Sequence, residues 1–540
     1  MLETETRMLN IAGRQLEVKR TPIDRLVSFF SPARGMQRQR ARVFEAISGA
    51  WTGASTSRRS LKQWTTASSD ADSDTLYDLP KLRERSRDLI RNAPIATGAC
   101  GTSVVNVVGT GLKLQSRIDA EFLGMTDEQA DAWQDKTERE WQLFAESQEC
   151  DVARTLNFYG IQSLAFRQTF ENGDVFCLTP RIKRGKFPYS LKLQLVEADR
   201  CCNEKNQPDT AGQIAGVQKD ETTGEPLYYS FMNQHPESAY VVSKDGYKWE
   251  KIPAFGDKTG LRNVIHLYEM LRPGQTRGVP HLAPVVEMLK VLSMYTDNEL
   301  MASTVAALFT VFVKTEAGAL DFAAASGMGA ELDTSSTDED LKMGSGAIVG
   351  LKKGESIDIA DPKRPNATFE PFVDAVFAQI GAAIGIPKEV LIKCFNSSYS
   401  ASRAALLEAW RFFRNRRVWL ASMFCQPIYE IWLYEAIASG RIAAPGYFAD
   451  PLLAKAYAKA VWIGDSPGYI DPQKDVDACK DRIDGLLSTY DEETALLTGG
   501  DFESNVRQRA KEKRLLEKAG LMATQKEKPQ QVEVVNNENT

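Results

Sequence analysis

The stretch CFNSSYSASRAALLEAWRFFRNR, residues 394–416, joins a short loop of small polar residues directly to an amphipathic segment. From Ser402 onward, apolar side chains recur at the three- and four-residue spacing of a helix. This pattern predicts a rod from about Ser402 to Ser439, with a kink near Pro427 because proline removes one helix hydrogen bond. The predicted apolar stripe consists of Leu406, Trp410, Phe413, Leu420, Phe424, Ile428 and Ile431.

Two further helical segments precede this loop and rod. The segment LRPGQTRGVPHLAPVVEMLKVL, residues 271–292, opens a helix with one apolar stripe. The segment FEPFVDAVFAQIGAAIGIPKEV, residues 369–390, is predicted to be helical until Gly385 stops it. Between them, residues 306–368 contain a tract rich in glycine, serine and acids, and a hairpin is predicted near Lys353–Gly354.

The first half of the chain mixes helices with antiparallel sheet. A capping-box pattern at Thr126 predicts the start of a helix. Residues 190–198, SLKLQLVEA, alternate leucines with polar residues such as Lys192, which is the period of a half-buried strand. Residues 239–252, AYVVSKDGYKWEKI, predict a hairpin that turns at Asp245–Gly246. The chain as a whole is therefore predicted to have an α+β fold.

Composition and charge exclude several classes of protein. The 540 residues suffice for several packed units. A net charge of −6 argues against a basic nucleic-acid coat over the whole surface. Residues 1–64 are locally basic, and their run RQRAR at 38–42 is expected to face solvent or a partner protein rather than DNA. Eight irregularly spaced cysteines indicate reduced thiols. The most apolar uncharged run, Leu300–Val313, is too short to cross a bilayer.

Two glycine-containing motifs resemble enzyme sites but fail on their chemistry. GDSPG, residues 464–468, has the spacing of a nucleophile elbow, yet Pro467 lacks the backbone N–H that an oxyanion hole requires. VVGTGLKL, residues 107–114, has Leu114 in place of the third glycine of a dinucleotide fingerprint. We interpret the first motif as a linker turn and the second as a turn at the end of a strand.

The remaining candidates for catalysis are weaker. No Walker A pattern occurs in the chain. Cys201 and Cys202 could meet His235 or His266, but their spacing matches no zinc motif, so buried thiols are expected. The sequence therefore predicts no catalytic residue, no cofactor and no metal site, and the protein is not expected to be an enzyme.

Three segments of the second half, taken in order, resemble one protein family. They are LRPGQTRGVPHLAPV at 271–285, GIPKEVLIKCFNSSYSASRAALLEAWR at 385–411, and GYIDPQKDVDA through LLTGGDFESNVRQRAKE at 468–512. Together they resemble the portal proteins of lambda-like tailed phages. The shared order of three segments is more specific than any one of the short motifs.

The resemblance implies a closed ring of about twelve copies around a channel for double-stranded DNA, built on a head-to-tail interface. The implied portal fold comprises an N-terminal basic arm (1–75), an α/β wing (76–280), stem helices (281–305 and 369–385), a small α/β clip (306–368), a tunnel loop (386–402), a long helix (403–440), a helical crown (441–520) and a disordered tail (521–540).

The resemblance also implies roles for individual residues. Small polar and basic side chains of the loop would face DNA of any sequence: Lys388, Lys393, Asn396, Ser397, Ser398, Tyr399 and Ser400. Four residues of the long helix would contact a neighbouring subunit: Arg403, Trp410, Arg414 and Arg417. Three residues of the clip would dock the terminase or an adaptor: Lys352, Lys353 and Glu355.

The implied partners are the terminase motor, the major capsid and scaffold proteins and the head–tail joining protein, with no membrane. The implied location is one capsid vertex of the virion, and the host cytoplasm during assembly. Two alternatives stay open at this point. The first is a DNA-binding or scaffolding protein that forms no ring, and the second is a nuclease or hydrolase with a dispersed acid site.

Overall fold

The computed structural model describes residues 5–11, 14–20, 22–48, 52–54, 58–66, 68–239, 246–308, 311–313, 348–350, 369–396, 398–468, 471–519 and 521. Contacts divide the chain into two units, Met1–Asp70 and Ala71–Thr540. None of the described helices is long and apolar enough to cross a membrane.

The first unit contains regular structure where an arm was predicted. Strands β1 (Glu5–Ile11) and β2 (Arg14–Arg20) form an antiparallel pair, followed by helices α1 (Pro22–Phe30) and α2 (Pro32–Ser48). The two helices meet closely, because a Cβ on Gly35 would lie 2.6 Å from the Ser28 Cα atom. The run RQRAR lies within α2, where Arg38 makes an ion pair with the nearly buried Asp24 at 2.9 Å.

The second unit begins with helices that carry much of the core. They are α3 (Ala71–Thr75), α4 (Leu79–Asn92), α5 (Pro94–Val107), α6 (Ala120–Leu123), α7 (Asp127–Glu146) and α8 (Phe158–Asn172), with strand β3 (Lys113–Ser116) after α5. The predicted capping box is confirmed, since Thr126 and Gln129 each bond to the other's backbone. Trp141 and Phe144 of α7 are buried.

Two antiparallel sheets follow, which confirms the α+β class. The first has the order β10–β4–β5, built from β4 (Asp174–Leu178), β5 (Gln194–Glu197) and β10 (Val264–Tyr268). The second is a meander of β6 (Gln213–Ile214), β7 (Val217–Lys219), β8 (Pro226–Met232) and β9 (Trp249–Pro253). Phe176, Val217, Phe231 and their neighbours form a small core between the sheets.

The strand prediction for residues 190–198 was wrong on one face. Lys192 was expected on the polar side, but it is fully buried. Its ammonium donates to the Tyr189 carbonyl oxygen at 2.9 Å and lies 4.6 Å from the centre of the Phe187 ring. An amphipathic lysine can satisfy its charge in this way while its stem packs. Both faces of this segment are therefore covered.

The hairpin predicted in residues 239–252 is only partly described and stays a prediction. Strand β9 pairs with β8, and Met232 lies opposite Trp249. The predicted partner strand and Asp245 fall on residues 240–245, outside the described residues. The hairpin predicted near Lys353–Gly354 also lies outside them.

The second half contains the predicted helices. Its elements are α9 (Val286–Leu308), β11 (Val311–Val313), β12 (Ile348–Gly350), α10 (Phe369–Ile384), α11 (Lys388–Leu391), α12 (Tyr399–Leu420), α13 (Gln426–Ala438), α14 (Pro451–Tyr457), β13 (Ala460–Ile463), α15 (Pro472–Asp484), α16 (Tyr490–Thr498) and α17 (Phe502–Lys518). Strand β13 pairs antiparallel with β3, and β11 pairs parallel with β12.

The predicted long rod is two helices joined by a π turn. Helix α12 begins at Tyr399, three residues before the expected Ser402. The π turn, Ala421–Cys425, ends two residues before Pro427. A widened turn accommodates a residue that lacks an N–H donor, so the α-helical pattern is interrupted next to Pro427, while the kink itself stays a prediction. The stripe is buried from Phe413 to Ile431, with Leu406 and Trp410 only half-buried.

A buried group of charges joins the sheets to the helices. The Asp174 carboxylate, at the start of β4, is inaccessible to solvent. Arg83 of α4 donates to it at 2.7 Å, Arg277 at 2.6 Å, and the His266 ring nitrogen Nε2 lies 3.1 Å away. Burial opposes ionisation, but Arg277 and Arg83 hold the pKa of Asp174 well below its usual value.

Two glycines beside this carboxylate bring the backbones into direct contact. A Cβ on Gly278 would lie 2.0 Å from the Gly173 carbonyl oxygen, and a Cβ on Gly173 would lie 2.4 Å from the Gly278 oxygen. Gly173 also has φ +89°, which disfavours a side chain. We call Asp174, Arg83, Arg277, Gly173 and Gly278 the Asp174 joint.

Asp174→Asn should strongly destabilise the protein. The substitution leaves the buried Arg277 without its charge partner and Arg83 with only the more distant Asp199, and breaking a buried ion pair typically costs about 3–5 kcal/mol. Chemical denaturation followed by tryptophan fluorescence measures the loss. Glu84→Gln is the control, since the Lys81–Glu84 pair is exposed and its loss should change the free energy of unfolding by less than about 0.5 kcal/mol. Equal effects of both variants would contradict this role for Asp174.

His266 should make stability depend on acid pH. Burial lowers the pKa of His266 to about 4 in spite of the nearby Asp174 carboxylate. Between about pH 6.5 and pH 4 the unfolded chain therefore binds a proton that the folded chain does not, so stability falls as pH falls. The full effect is about 3 kcal/mol, and it is absent above pH 6.5. His266→Gln, which keeps a donor but does not titrate, should lack this part of the slope in denaturation at stepped pH.

Candidate functional site

The loop between α10 and α12 leaves its first helix through a tight turn. Gly385 has φ +73°, and a Cβ there would lie 2.6 Å from the Phe412 ring. A Cβ on Gly381 would lie 2.4 Å from the Ile386 carbonyl oxygen. These two positions require glycine, because the chain folds back against both α10 and α12 at once.

The root of the loop is apolar and fixed. Ile386, Val390 and Leu391 are buried in the main core of the second unit. Helix α11 ends just before Lys393, which has φ +56°, and the following Cys394 N–H donates to the Glu389 carbonyl oxygen at 3.0 Å. The loop therefore starts from a packed base.

The tip of the loop is polar and exposed. Asn396 and Ser398 are exposed, whereas Ser397 lies outside the described residues. The Ser398 hydroxyl accepts a hydrogen bond from the Ala401 N–H at 3.4 Å and caps α12. Tyr399 and Ser400 were predicted in the loop but form the first turn of α12. The polar part of the loop is thus shorter than predicted.

The two lysines of this region differ in their contacts. Lys388 donates to Asp374 of α10 at 2.6 Å, and this hydrogen bond raises the pKa of Lys388. Lys393 is exposed and makes no ion pair with any carboxylate in the described part of the chain. Of the two, Lys393 has the charge that is available to a ligand.

His281 links three elements at the base of this site. Sequence reasoning did not predict this role, because the sequence shows only a histidine before a helix. Its Nε2 lies 3.0 Å from the Ile384 carbonyl oxygen at the end of α10, and its Nδ1 lies 3.5 Å from the Arg416 guanidinium of α12. Burial lowers the pKa of His281, so the ring is neutral, donates from Nε2 and accepts at Nδ1. Arg416 also pairs with Glu269 and lies over the Phe412 ring.

The two discounted glycine motifs meet each other. The Asp465 carboxylate of GDSPG accepts hydrogen bonds from the Thr110 N–H and hydroxyl, both at 2.7 Å. Gly109 has φ +57°, and a Cβ there would lie 2.1 Å from the Asp465 carboxylate. Contrary to prediction, residues 107–114 connect helix α5 to strand β3 and do not end a strand. Gly109 leaves the space that the Asp465 side chain occupies against the turn.

Arg417 of α12 ties this junction to the long helix. Its guanidinium donates to the carbonyl oxygens of Val107 at 3.0 Å, Asn106 at 2.9 Å and Asp465 at 2.8 Å. It also lies 5.0 Å from the centre of the half-buried Trp410 ring. We call Arg417 with these three carbonyls the helix joint.

Three of the four residues predicted at a subunit interface already have contacts within one chain. Arg403 pairs with Asp475 of α15 at 3.3 Å, and Arg417 forms the helix joint. Arg414 is exposed and makes no ion pair with a described residue. Contacts with a neighbouring copy remain a prediction for these positions, and for Trp410. The predicted docking residues Lys352, Lys353 and Glu355 lie outside the described residues.

One group of possible metal ligands exists among the described residues. Glu197, Asp199 and His235 offer ligand atoms within 4.8 Å of one another. Arg87 contacts both carboxylates, and Arg83 also lies 3.4 Å from Asp199. These guanidiniums already compensate the acids, so the group forms an ion network. Cys201 and Cys202 are free thiols, and Cys202 accepts a hydrogen bond from the Trp249 indole.

Comparison with known proteins gives one consistent result. Residues 57–417 match the model of the family described as "Phage portal protein, lambda family". The chain is 26% identical over 490 residues to portal protein B of Escherichia phage lambda, covering 85% of this chain and 88% of that protein. It is also 26% identical to the portal protein of Escherichia phage N15, covering 85% and 89%.

Similar solved structures are more distant. One is described as the neck of a native gene transfer agent (GTA) particle computed with C12 symmetry, with 13% identity, a TM-score of 0.35, and coverage of 76% of this chain and 94% of that chain. Another comes from the virion of a native GTA particle, with 13% identity, a TM-score of 0.34, and coverage of 64% and 81%. Structural likeness at these scores supports no conclusion about the function of this chain.

Arg417→Lys should loosen the helix joint. Lysine keeps the charge, but its single nitrogen cannot reach three carbonyl oxygens in the planar geometry of a guanidinium. We expect the free energy of unfolding to fall by about 1–3 kcal/mol. Arg414→Lys, one helical turn away and exposed, is the matched control and should change stability by less than about 0.5 kcal/mol. Thermal unfolding of both variants measures the difference, and indistinguishable transitions would refute the joint.

Proposed function

The chain belongs to the lambda family of phage portal proteins, and on that premise we propose that about twelve copies close into a ring around a DNA channel. Double-stranded DNA passes inward through this channel when a separate terminase packages it, and outward when the phage ejects it. The protein resides at one vertex of the virion capsid, and in the host cytoplasm before assembly. The two alternatives, a protein without a ring and a dispersed-site hydrolase, are not favoured.

The observation that carries this proposal is the contrast between the two ends of the loop. Its base is held by buried apolar residues and by two glycines that no side chain can replace, whereas Asn396 and Ser398 at its tip are exposed and polar. A channel that passes DNA of any sequence must contact the DNA phosphate backbone without binding it tightly. Short neutral side chains form weak, exchangeable hydrogen bonds with phosphates and carry no sequence information.

The ion-pair partners of the two loop lysines indicate which of them is available to the DNA. Lys393 supplies a screened attraction to phosphates, since its charge is free of described partners. Lys388 contributes less, because Asp374 neutralises it and holds it against α10. Tyr399 is more than half exposed at the first turn of α12 and extends the polar surface of the tip. Ser397 and Ser400 complete the proposed DNA-facing set.

We infer the roles of the other parts of the chain from its membership of the family. Helices α9 and α10 form the stem, residues 306–368 form the clip, and α15 to α17 belong to the crown. We assign docking of the terminase, and later of the head–tail joining protein, to the clip with Lys352, Lys353 and Glu355. The major capsid and scaffold proteins contact the ring from outside. The chain carries out no catalysis of its own, so purified rings should not turn over ATP.

The direct test of the ring is its mass. Native mass spectrometry and electron microscopy of the purified protein should show one closed oligomer of about twelve chains. A protein that remains monomeric or dimeric at all concentrations, and that gains no higher order with the capsid and scaffold proteins present, would overturn the proposal.

Asn396→Arg should slow DNA passage without disrupting the ring. Asn396 is exposed and caps no helix, so the substitution leaves α12 intact, unlike Ser398→Arg. About twelve added charges would surround the duplex. Each neutralised phosphate steepens the dependence of log K on log salt by up to about 0.9. Packaging should therefore stall at low salt and recover as salt is raised.

The control for this variant is Asn396→Gln, which keeps the amide and adds no charge. Its packaging rate should match that of the natural protein at every salt concentration. Paired measurements of oligomer mass and packaged DNA length separate the possible effects. If Asn396→Arg loses the ring, or packages normally at low salt, the loop does not face the DNA.

A further inference from the structure

Helix α17 is fixed to the second unit at its beginning and is exposed along the rest of its length. Asp501 caps the helix and accepts a hydrogen bond from Gln115 of β3, and Arg507 makes an ion pair with Asp135 of α7. None of the residues of α17 is buried. Within the described part of the chain, the side chains after Arg507 make no hydrogen bond or ion pair with another helix or strand. The second half of α17 is therefore held in position without being covered.

This exposed half is strongly basic. Residues 507–518 include six Lys or Arg and two Asp or Glu, in a chain whose net charge is −6. Four of the cations are spaced by four, three and four positions, so they follow one face of the helix over about 16 Å. They are Arg507, Lys511, Arg514 and Lys518. The helix dipole favours cations only within the last turn, so it explains Lys518 and not the rest of this cationic face.

Three charges of the cationic face are available to an external anion. Arg507 is paired with Asp135 and lies 3.8 Å from Glu503. Lys511, Arg514 and Lys518 are exposed, and they make no ion pair with any carboxylate of the described residues. A ligand with several negative charges in a row would match them.

The apolar residues of α17 exclude two kinds of partner. Val506, Leu515 and Leu516 are exposed by 50%, 56% and 44%. At about 100° per residue, Val506 lies about 180° from Leu515, and Leu516 lies about 100° from Leu515. The helix therefore has no continuous apolar face. A helix that lies in a membrane surface needs such a face, and so does a helix that docks in the groove of another protein. Recognition through α17 must depend on charge.

We propose that the exposed half of α17 binds the phosphate backbone of double-stranded DNA through Lys511, Arg514 and Lys518, at a site separate from the tunnel loop. The choice of DNA as the polyanion rests on the proposed function, which brings a long duplex to every copy in the ring. Duplex DNA carries one negative charge per ~1.7 Å, so about nine phosphates lie along a cationic face of this length. Contacts with phosphates carry no sequence information, so the site would accept any duplex.

Closed circular plasmid DNA separates this site from the channel, because a duplex without ends cannot thread through a closed ring. The natural protein should bind the plasmid. The double variant Lys511→Gln and Lys518→Gln should bind it about tenfold more weakly or worse at low salt, and each lost contact should reduce the slope of log K against log salt by up to about 0.9. The oligomer mass should stay unchanged, since both side chains are exposed.

Two matched controls accompany this variant. Lys81→Gln with Lys480→Gln removes the same charge from exposed lysines that are paired with Glu84 and Asp477, and plasmid binding should be unchanged. Lys511→Arg with Lys518→Arg keeps the charge and should bind like the natural protein. Equal plasmid binding by the natural protein and by the Lys511→Gln, Lys518→Gln variant would overturn this site. That result would leave the ring itself untouched, because the ring is judged by its mass.

Vesicles that contain phosphatidylserine test the other extended anionic surface. Flotation of the natural protein with these vesicles should show no binding that depends on Lys511 and Lys518. If the vesicles are bound through these two lysines and the plasmid is not, the partner is a membrane surface and the assignment to DNA is wrong.

Discussion

One buried carboxylate, Asp174, determines how the parts of the second unit fit together. It receives Arg83 from α4, Arg277 from the segment before α9, and His266 from β10. A buried ion is unfavourable unless its partners are complete, so each of these elements must be in place before the others are stable. Helix α9 starts nine residues after Arg277, and its direction is thereby tied to the sheets.

A second joint lies on the long helix. Arg417 donates to the carbonyl oxygens of the last two residues of α5 and of Asp465, which follows β13. The hydrogen bonds between Thr110 and Asp465 join these two regions, although the two residues are 355 positions apart in the sequence. Three of the four glycines in the two discounted motifs lie against side chains: a Cβ on Gly109 would meet Asp465, one on Gly111 would meet Tyr159, and one on Gly464 would meet Leu112 and Arg417. Glycine-rich motifs therefore carried structural information, although their spacing resembled enzyme sites. His281 makes a further connection, from the segment before α9 to α10 and α12.

Local patterns in the sequence predicted local structure well. The capping box at Thr126, the break near Pro427 and the apolar stripe of α12 follow from residue spacing alone, and the three segments of the second half identified the family. Contacts between distant segments were not accessible in this way. The burial of Lys192 depends on Phe187 and Tyr189, the pairing of β9 with β8 spans a long loop, and Arg417 bonds to carbonyl groups, which have no side-chain signature. Of the residues predicted in the loop, Asn396 and Ser398 lie in it, whereas Tyr399 and Ser400 belong to α12. The difference between Lys388 and Lys393 required the position of Asp374.

The contact between Gly173 and Gly278 limits how this protein can diverge. A side chain at either position would collide with the main chain of the other, at 2.4 Å or 2.0 Å. Most packing faults can be repaired by a second substitution that makes room, but neither glycine can become smaller. Exchanging both positions adds two methyl groups to the same space, so the double substitution is worse than either alone. Single substitutions therefore cannot pass through this pair, and related sequences that keep the Asp174 joint should retain both glycines even where the surrounding charges have changed.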